Sequence, residues 1–177
     1  MGTFTRRLLG ASTFDAAVYE EVEADRGANL QALAVVLLSS AGAGIGSTGF
    51  AASRPGGSLL IAGLALLAWV VWAALTCQLG VRALSTPRTR ADVGQLLRTT
   101  GFATAPGTLR VLGVVPALTS VVFVATAIWM LLTMLVAVRQ ALDYQNTRRA
   151  VAVCILAWLL VGGIAMVLGI LFGPSVA

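Results

Sequence analysis

The sequence predicts an all-helical bundle of membrane-spanning helices, because long uncharged stretches repeat along it and its charges are confined to the short segments between them. Gly27 to Ser53, Pro55 to Val81, Val111 to Val138 and Ala150 to Ala177 carry no charged residue, and each is 27 or 28 residues long. A hydrocarbon core about 30 Å thick needs about 20 residues at 1.5 Å per residue, so each stretch suffices for a crossing. Hydrophobic residues make up 58% of the chain, charged residues 11%, and the mean hydropathy is +0.92. A soluble domain carries about a quarter charged residues, so little of this chain is left for one. The expected organisation is a cytoplasmic amphipathic helix in residues 1–27 and a single five-helix transmembrane domain in residues 28–177, the third of the five helices being short and broken.

The net charge is +5 and all twelve bases are arginines. They stand beside the apolar stretches, where they set orientation. No block of five bases and no accompanying aromatic surface suggests nucleic acid, so no nucleic-acid partner is expected. The absence of histidine removes the commonest general base and metal ligand. Cys77 and Cys154 lie far apart inside apolar stretches, without metal-ligand spacing, and read as packing residues. No metal and no cofactor are expected.

Arg6 and Arg7 precede only Leu8 and Leu9 before polar residues begin, too short a run for a cleaved signal. Gly2 lacks the Ser or Thr that a myristoylation signal needs, since Arg6 stands there. Ser12 or Thr13 is expected to cap an amphipathic helix with Phe14, Ala17, Val18 and Val22 on one face and Asp15, Glu20, Glu21, Glu23 and Asp25 on the other. Its acids either meet arginines, as a lid over basic loops, or remain solvated.

The first span, about Ala28 to Phe50, contains AGAGIGSTG (Ala41 to Gly49). Gly44, Gly46 and Gly49 match the dinucleotide-binding spacing, but that fingerprint works only between a strand and a helix, and this one lies inside an apolar helix. Gly42 and Gly46 read as a close-packing ridge, within the subunit or in a homo-oligomer. The second span is about Leu59 to Leu79. Trp69, Trp72, Trp129 and Trp158 lie well inside spans rather than at their ends, so they read as filler between helices or against lipid more than as ligand-stacking groups.

Val93 to Leu112 (VGQLLRTTGFATAPGTLRVL) reads as a reentrant element or a weak span. Arg98 and Arg110 are twelve helical steps apart, about 18 Å, so snorkelling would bring their charges toward opposite interfaces. Gly101, Pro106 and Gly107 predict a bent or interrupted helix held by its neighbours. Arginine counting favours a crossing. Four spans divide the arginines eight to four, whereas five place ten on the N-terminal side and leave Arg54 and Arg110 on the other. The fourth span is about Pro116 to Val138, the fifth about Ala150 to Phe172, joined by RQALDYQNTRR (Arg139 to Arg149). The N-terminus is then cytoplasmic and the C-terminus outside. Both cysteines fall near the reducing face, against a disulfide.

FDAAVYEEVEAD (Phe14 to Asp25), QLLRTTGFATAP (Gln95 to Pro106), Pro116 following shortly, and Trp129 ahead of VRQALDYQNTRRA (Val138 to Ala150) together resemble the Yip-domain family, the Ypt/Rab-interacting membrane proteins and their bacterial relatives. The Gln95 to Pro106 stretch is similar to the family's Arg-x-x-Gly-Tyr-Ala-x-x-Pro core, with Phe102 where the family often has Tyr. The resemblance implies a five-helix bundle with a cytoplasmic N-terminus and no known catalytic residues. Short loops and an arginine-only basic set suit a bacterial inner-membrane member, and the Rab partnership of eukaryotic members is not expected here.

Two functions follow as expectations. One is a non-enzymatic protein that organises membrane lipids or protein partners, with Arg82, Arg88, Arg90, Arg139, Arg148 and Arg149 facing anionic headgroups. The other is a small anion or solute transporter or channel, using Arg98, Thr99, Thr100, Gly101, Thr104, Pro106 and Arg110 in the interrupted helix. A membrane enzyme has least support, because no nucleophile is paired with a base and no spaced carboxylate pair lies at a membrane edge.

Overall fold

A computed structural model describes residues 2–49, 57–84 and 92–172. Among them there are seven α-helices and no strand: α1 (Thr3–Ser12), α2 (Ala16–Ala24), α3 (Ala28–Gly46), α4 (Gly57–Gln78), α5 (Val93–Ala103), α6 (Thr119–Ala141) and α7 (Thr147–Phe172). A π-helical turn, Leu79–Ala83, ends α4, and a 3-10 helix, Ala105–Val114, follows α5. Three described helices are long and apolar enough to cross a membrane: Ala28–Gly46, Thr119–Ala141 and, within α7, Thr147–Ile164. The 22-residue α4 also contains no charged residue.

The N-terminal segment departs from expectation. It forms a hairpin of two helices, and Ser12 and Thr13 finish the first rather than cap the second. The backbone N–H groups of Phe14 and Asp15 donate to the carbonyls of Ala11 and Gly10, closing α1 with a Schellman motif. Phe14 takes the left-handed conformation, φ 66°, where glycine is usual. Without a glycine or proline to mark it, this boundary has no sequence signature. Asp15 caps α2 instead, accepting from the Ala17 N–H at 3.0 Å.

The interruption after α5 is as expected from Pro106. Proline removes a donor and its ring collides with the carbonyl four residues back, so the α-helix stops at Ala103 and tightens into the 3-10 form. The carbonyl of Ala103, lacking a partner in its own helix, accepts from the Thr133 hydroxyl of α6 at 2.7 Å. Neighbouring threonines perform this service wherever a helix is broken away from water.

α5 and the 3-10 helix run alongside α3 in the same direction. The Arg98 guanidinium reaches Asn29. A Cβ at Gly101 would meet Ala32, one at Gly42 would come within 2.9 Å of the Thr108 carbonyl oxygen, and one at Gly46 would overlap the Arg110 carbonyl. Small residues therefore permit backbone-to-backbone approach along the whole of α3. The Gly42/Gly46 ridge is thus occupied by this chain's own 3-10 segment, and an oligomer built on it would have to displace that segment. α6 returns antiparallel, pairing Thr119 with the Gly113 carbonyl and Thr133 with that of Ala103.

Candidate functional site

At the end of the bundle that carries the N-terminal hairpin, charged groups are held in place by several clasps. Arg7, 5% exposed, binds Glu21 and Asp25 at 2.9 and 2.8 Å, and Arg6 binds Glu21 at 2.6 Å. These contacts hold both carboxyls below their usual range. For Glu21 the hydrogen bond from Arg6 leads and that from Arg7 follows; for Asp25 the leading cause is the bond from Arg7. Glu21 and Asp25 therefore do meet arginines, but those of α1 rather than of the loops. Glu20 accepts from Gln140 of α6 at 2.8 Å.

Arg98 belongs to this end. Its guanidinium donates to the carbonyls of Val22 and Glu23 at 3.2 and 2.6 Å, and to Asn29 at 3.2 Å. The last carbonyls of a helix have no partner within it and carry partial negative charge, so a cation there both satisfies and stabilises α2. Burial, with help from Asp143, pushes the Glu23 carboxyl up to about 7. Glu23, Arg139, Asp143 and Tyr144 line a cleft of about 410 Å³ on this surface.

The Tyr144 hydroxyl donates to the Leu84 carbonyl at 2.9 Å and to that of Gly80 at 3.3 Å, fastening the turn after α6 onto the π-helical end of α4. A Cβ at Gly80 would come within 2.5 Å of Leu142, so that approach needs glycine. The clasp puts Arg82 on the same end as Arg139, Arg148 and Arg149, all four exposed. Arg82, Arg139 and Arg148 form no salt bridge among the described residues. Arg139 donates to the Tyr144 carbonyl at 3.3 Å. Arg88 and Arg90, expected in the same group, lie outside the described residues.

The second group of expected site residues does not form one site. Thr99, Thr100 and Thr104 donate their hydroxyls to carbonyls of their own segment, at Gln95 and Leu96, at Leu96, and at Gly101. Gly101 and Pro106 are buried, with Gly101 against α3. Arg98 is engaged with α2. Only Thr104 and Arg110 reach a half-open cavity of about 320 Å³ between α3, α4, α6, α7 and the 3-10 helix. Arg110 does not extend outward as expected. It turns inward, lying 5.3 Å from the centre of the Phe123 ring and donating to the Thr126 hydroxyl at 3.2 Å. Cation–π attraction and a hydroxyl acceptor hold it there.

Two features escaped the sequence reading. Thr119, Thr126 and Thr133 recur every seven residues, which places them on one face of α6, and all three are buried against the interrupted segment. Their spacing within an uncharged stretch was the available signal. Trp129 donates its indole N–H to the Ser12 carbonyl at 2.8 Å, anchoring α1 in a way that periodicity does not reveal. Among the described residues no group of three or more His, Cys, Asp or Glu could hold a metal ion. No family model, no curated protein and no solved structure matches the chain.

Proposed function

We propose that the chain is a five-pass membrane protein of the Yip-domain type that acts without catalysis, gathering anionic lipid on a basic cytoplasmic face. The exposed arginines brought to one end by the Tyr144 clasp carry this reading. Each arginine near an anionic surface contributes about 1 kcal/mol, so a cluster gives appreciable retention while isolated ones do not.

Five crossings are supported by the parallel course of α3 and the interrupted segment. At 1.5 Å per residue α3 is about 28 Å long, and α5 with its 3-10 continuation supplies about 36 Å of rise. A segment that accompanies a spanning helix from Asn29 to Gly46 crosses the same thickness. The N-terminus then lies in the cytoplasm of a bacterial cell, with the last helix ending outside the inner membrane, as arginine placement favours. The alternative of an anion pathway through the interrupted helix draws support from Arg110 alone, since the threonine hydroxyls there are engaged by backbone.

Replacing Arg82, Arg88, Arg90, Arg139, Arg148 and Arg149 by Gln and measuring the anionic lipid that copurifies tests the proposal. The expected result is a several-fold loss of bound anionic lipid at unchanged membrane orientation. Unchanged lipid at unchanged orientation would overturn it, and retention of an acidic protein instead would move the function to a protein partner.

A further inference from the structure

The cavity between the helices is assigned no role by the basic face, and its polar groups share one property. Arg110 is a cation with no carboxylate within ion-pair distance among the described residues; its only hydrogen bond there is from Nε to Thr126. Ser39 and Ser40, in the wall and 5% and 6% exposed, make no hydrogen bond through their hydroxyls among the described residues. Trp69 and Trp72, also in the wall, have indole N–H groups without a hydrogen-bond partner among the described residues. All of these groups can donate, the guanidinium and the indoles donating only and the serine hydroxyls also able to accept, and no acid stands among the lining residues. An ionisable residue at membrane depth, facing the inside of a bundle, marks a functional site by default.

Apart from the Thr104 hydroxyl, which donates to the Gly101 carbonyl of its own segment, and the Trp158 indole, the rest of the wall is hydrocarbon or thioether, including Val36, Met130 and Met134. At about 320 Å³ the cavity lies at the lower end of the range for ligand pockets, sized for one chain rather than two. Leu131, Trp158 and Gly162 on its rim are exposed, so it opens sideways past α6 and α7, where the lipid tails lie if these helices span. The guanidinium fork matches a carboxylate in two parallel hydrogen bonds.

We infer that this cavity binds a single-chain lipid carboxylate, with the acid head on Arg110 and the hydrocarbon among the methionines and tryptophans. The inference is independent of the basic face, because the two sites share no residue.

The test uses the full chain in nanodiscs of zwitterionic phospholipid, titrated with dibrominated stearate while tryptophan fluorescence is read. Bromine quenches on contact, and Trp69, Trp72 and Trp158 stand in the wall. Saturable quenching is expected. It should weaken at least about tenfold in Arg110→Gln, recover in part in Arg110→Lys, and weaken comparably when the uncharged methyl ester replaces the acid. Gly162→Phe provides a second route, since Gly162 lines the mouth and a Cβ there meets nothing within 4 Å, so a bulky residue narrows the opening without a clash at the backbone. It too should abolish the saturable phase. Quenching that never saturates, or that saturates equally in Arg110→Gln and Gly162→Phe, would overturn the inference.

Discussion

α3 and the Thr147–Ile164 part of α7 have almost the same mean hydropathy, 1.5 and 1.6, yet half of the α3 window is buried inside the protein and only 17% of the α7 window. In water such similar apolarity would imply similar burial. In a bilayer, lipid tails satisfy leucine as well as another helix does, so hydropathy does not say which face meets protein. Small residues and hydroxyls say it instead. The buried face of α3 carries Ser39, Ser40, Gly42, Ala43 and Gly46, against which the backbone of the interrupted segment lies. α7 presents Ile155, Leu159 and Trp158 outward, each more than half exposed.

The contrast can be broken most forcefully with glycine. Gly46→Val would drive a side chain into the Arg110 carbonyl, and a loss of about 3 kcal/mol or more is expected, enough to remove most folded protein from detergent extracts. Gly163→Val in α7, where a Cβ meets nothing within 4 Å, should change the melting temperature little, within about 0.5 kcal/mol. Equal effects in a paired thermal denaturation would remove the contrast.

Arg98→Gln comes next. It leaves the last carbonyls of α2 without their cation, at about 2 kcal/mol, and should release the N-terminal hairpin. Limited proteolysis checks this: cleavage within residues 13–27 should accelerate while the bundle stays intact. Thr133→Val should cost about 1 kcal/mol by stranding the Ala103 carbonyl, and Thr133→Ser should restore most of it; Leu159→Ala, on the lipid side, should not respond in the same melting experiment.

The smallest effect concerns pH. Glu23 titrates higher folded than unfolded, so the folded state binds the extra proton, and this group's contribution to stability declines as pH rises from its ordinary range near 4.5 to about 7. Glu21 and Asp25 act oppositely: held low by the arginines, they contribute above their unfolded values and lose that contribution as pH falls. Glu23→Gln should flatten the decline between pH 4.5 and 7 in a stability profile. An unaltered slope would show that another group sets it.

Much of the helix content and the break at Pro106 could be read from charge spacing and proline chemistry, because both are local. The Gly42/Gly46 ridge was legible as close packing but not as packing against the 3-10 segment, since a ridge does not name its partner. Arg98 and Arg110 looked alike in sequence, two arginines bracketing one weak segment. They diverge because Arg98 finds the end of α2, 75 and 76 residues away in the chain, whereas Arg110 finds Phe123 and Thr126. Likewise Ser12 resembles a cap until Phe14 is seen in the left-handed conformation that closes α1. Such partners are set by tertiary contact, not by spacing.

The claim on which orientation, basic face and crossing number all depend is that the interrupted segment accompanies α3 through the membrane. It is tested by labelling single cysteines at its two ends, Val93→Cys and Val115→Cys, both exposed, in a background with Cys77→Ala and Cys154→Ala. A reagent that cannot cross the membrane should label the Val115 position from outside intact cells and the Val93 position only after the membrane is opened. Labelling of both positions from the same side would show that the segment turns back, and would contradict the account.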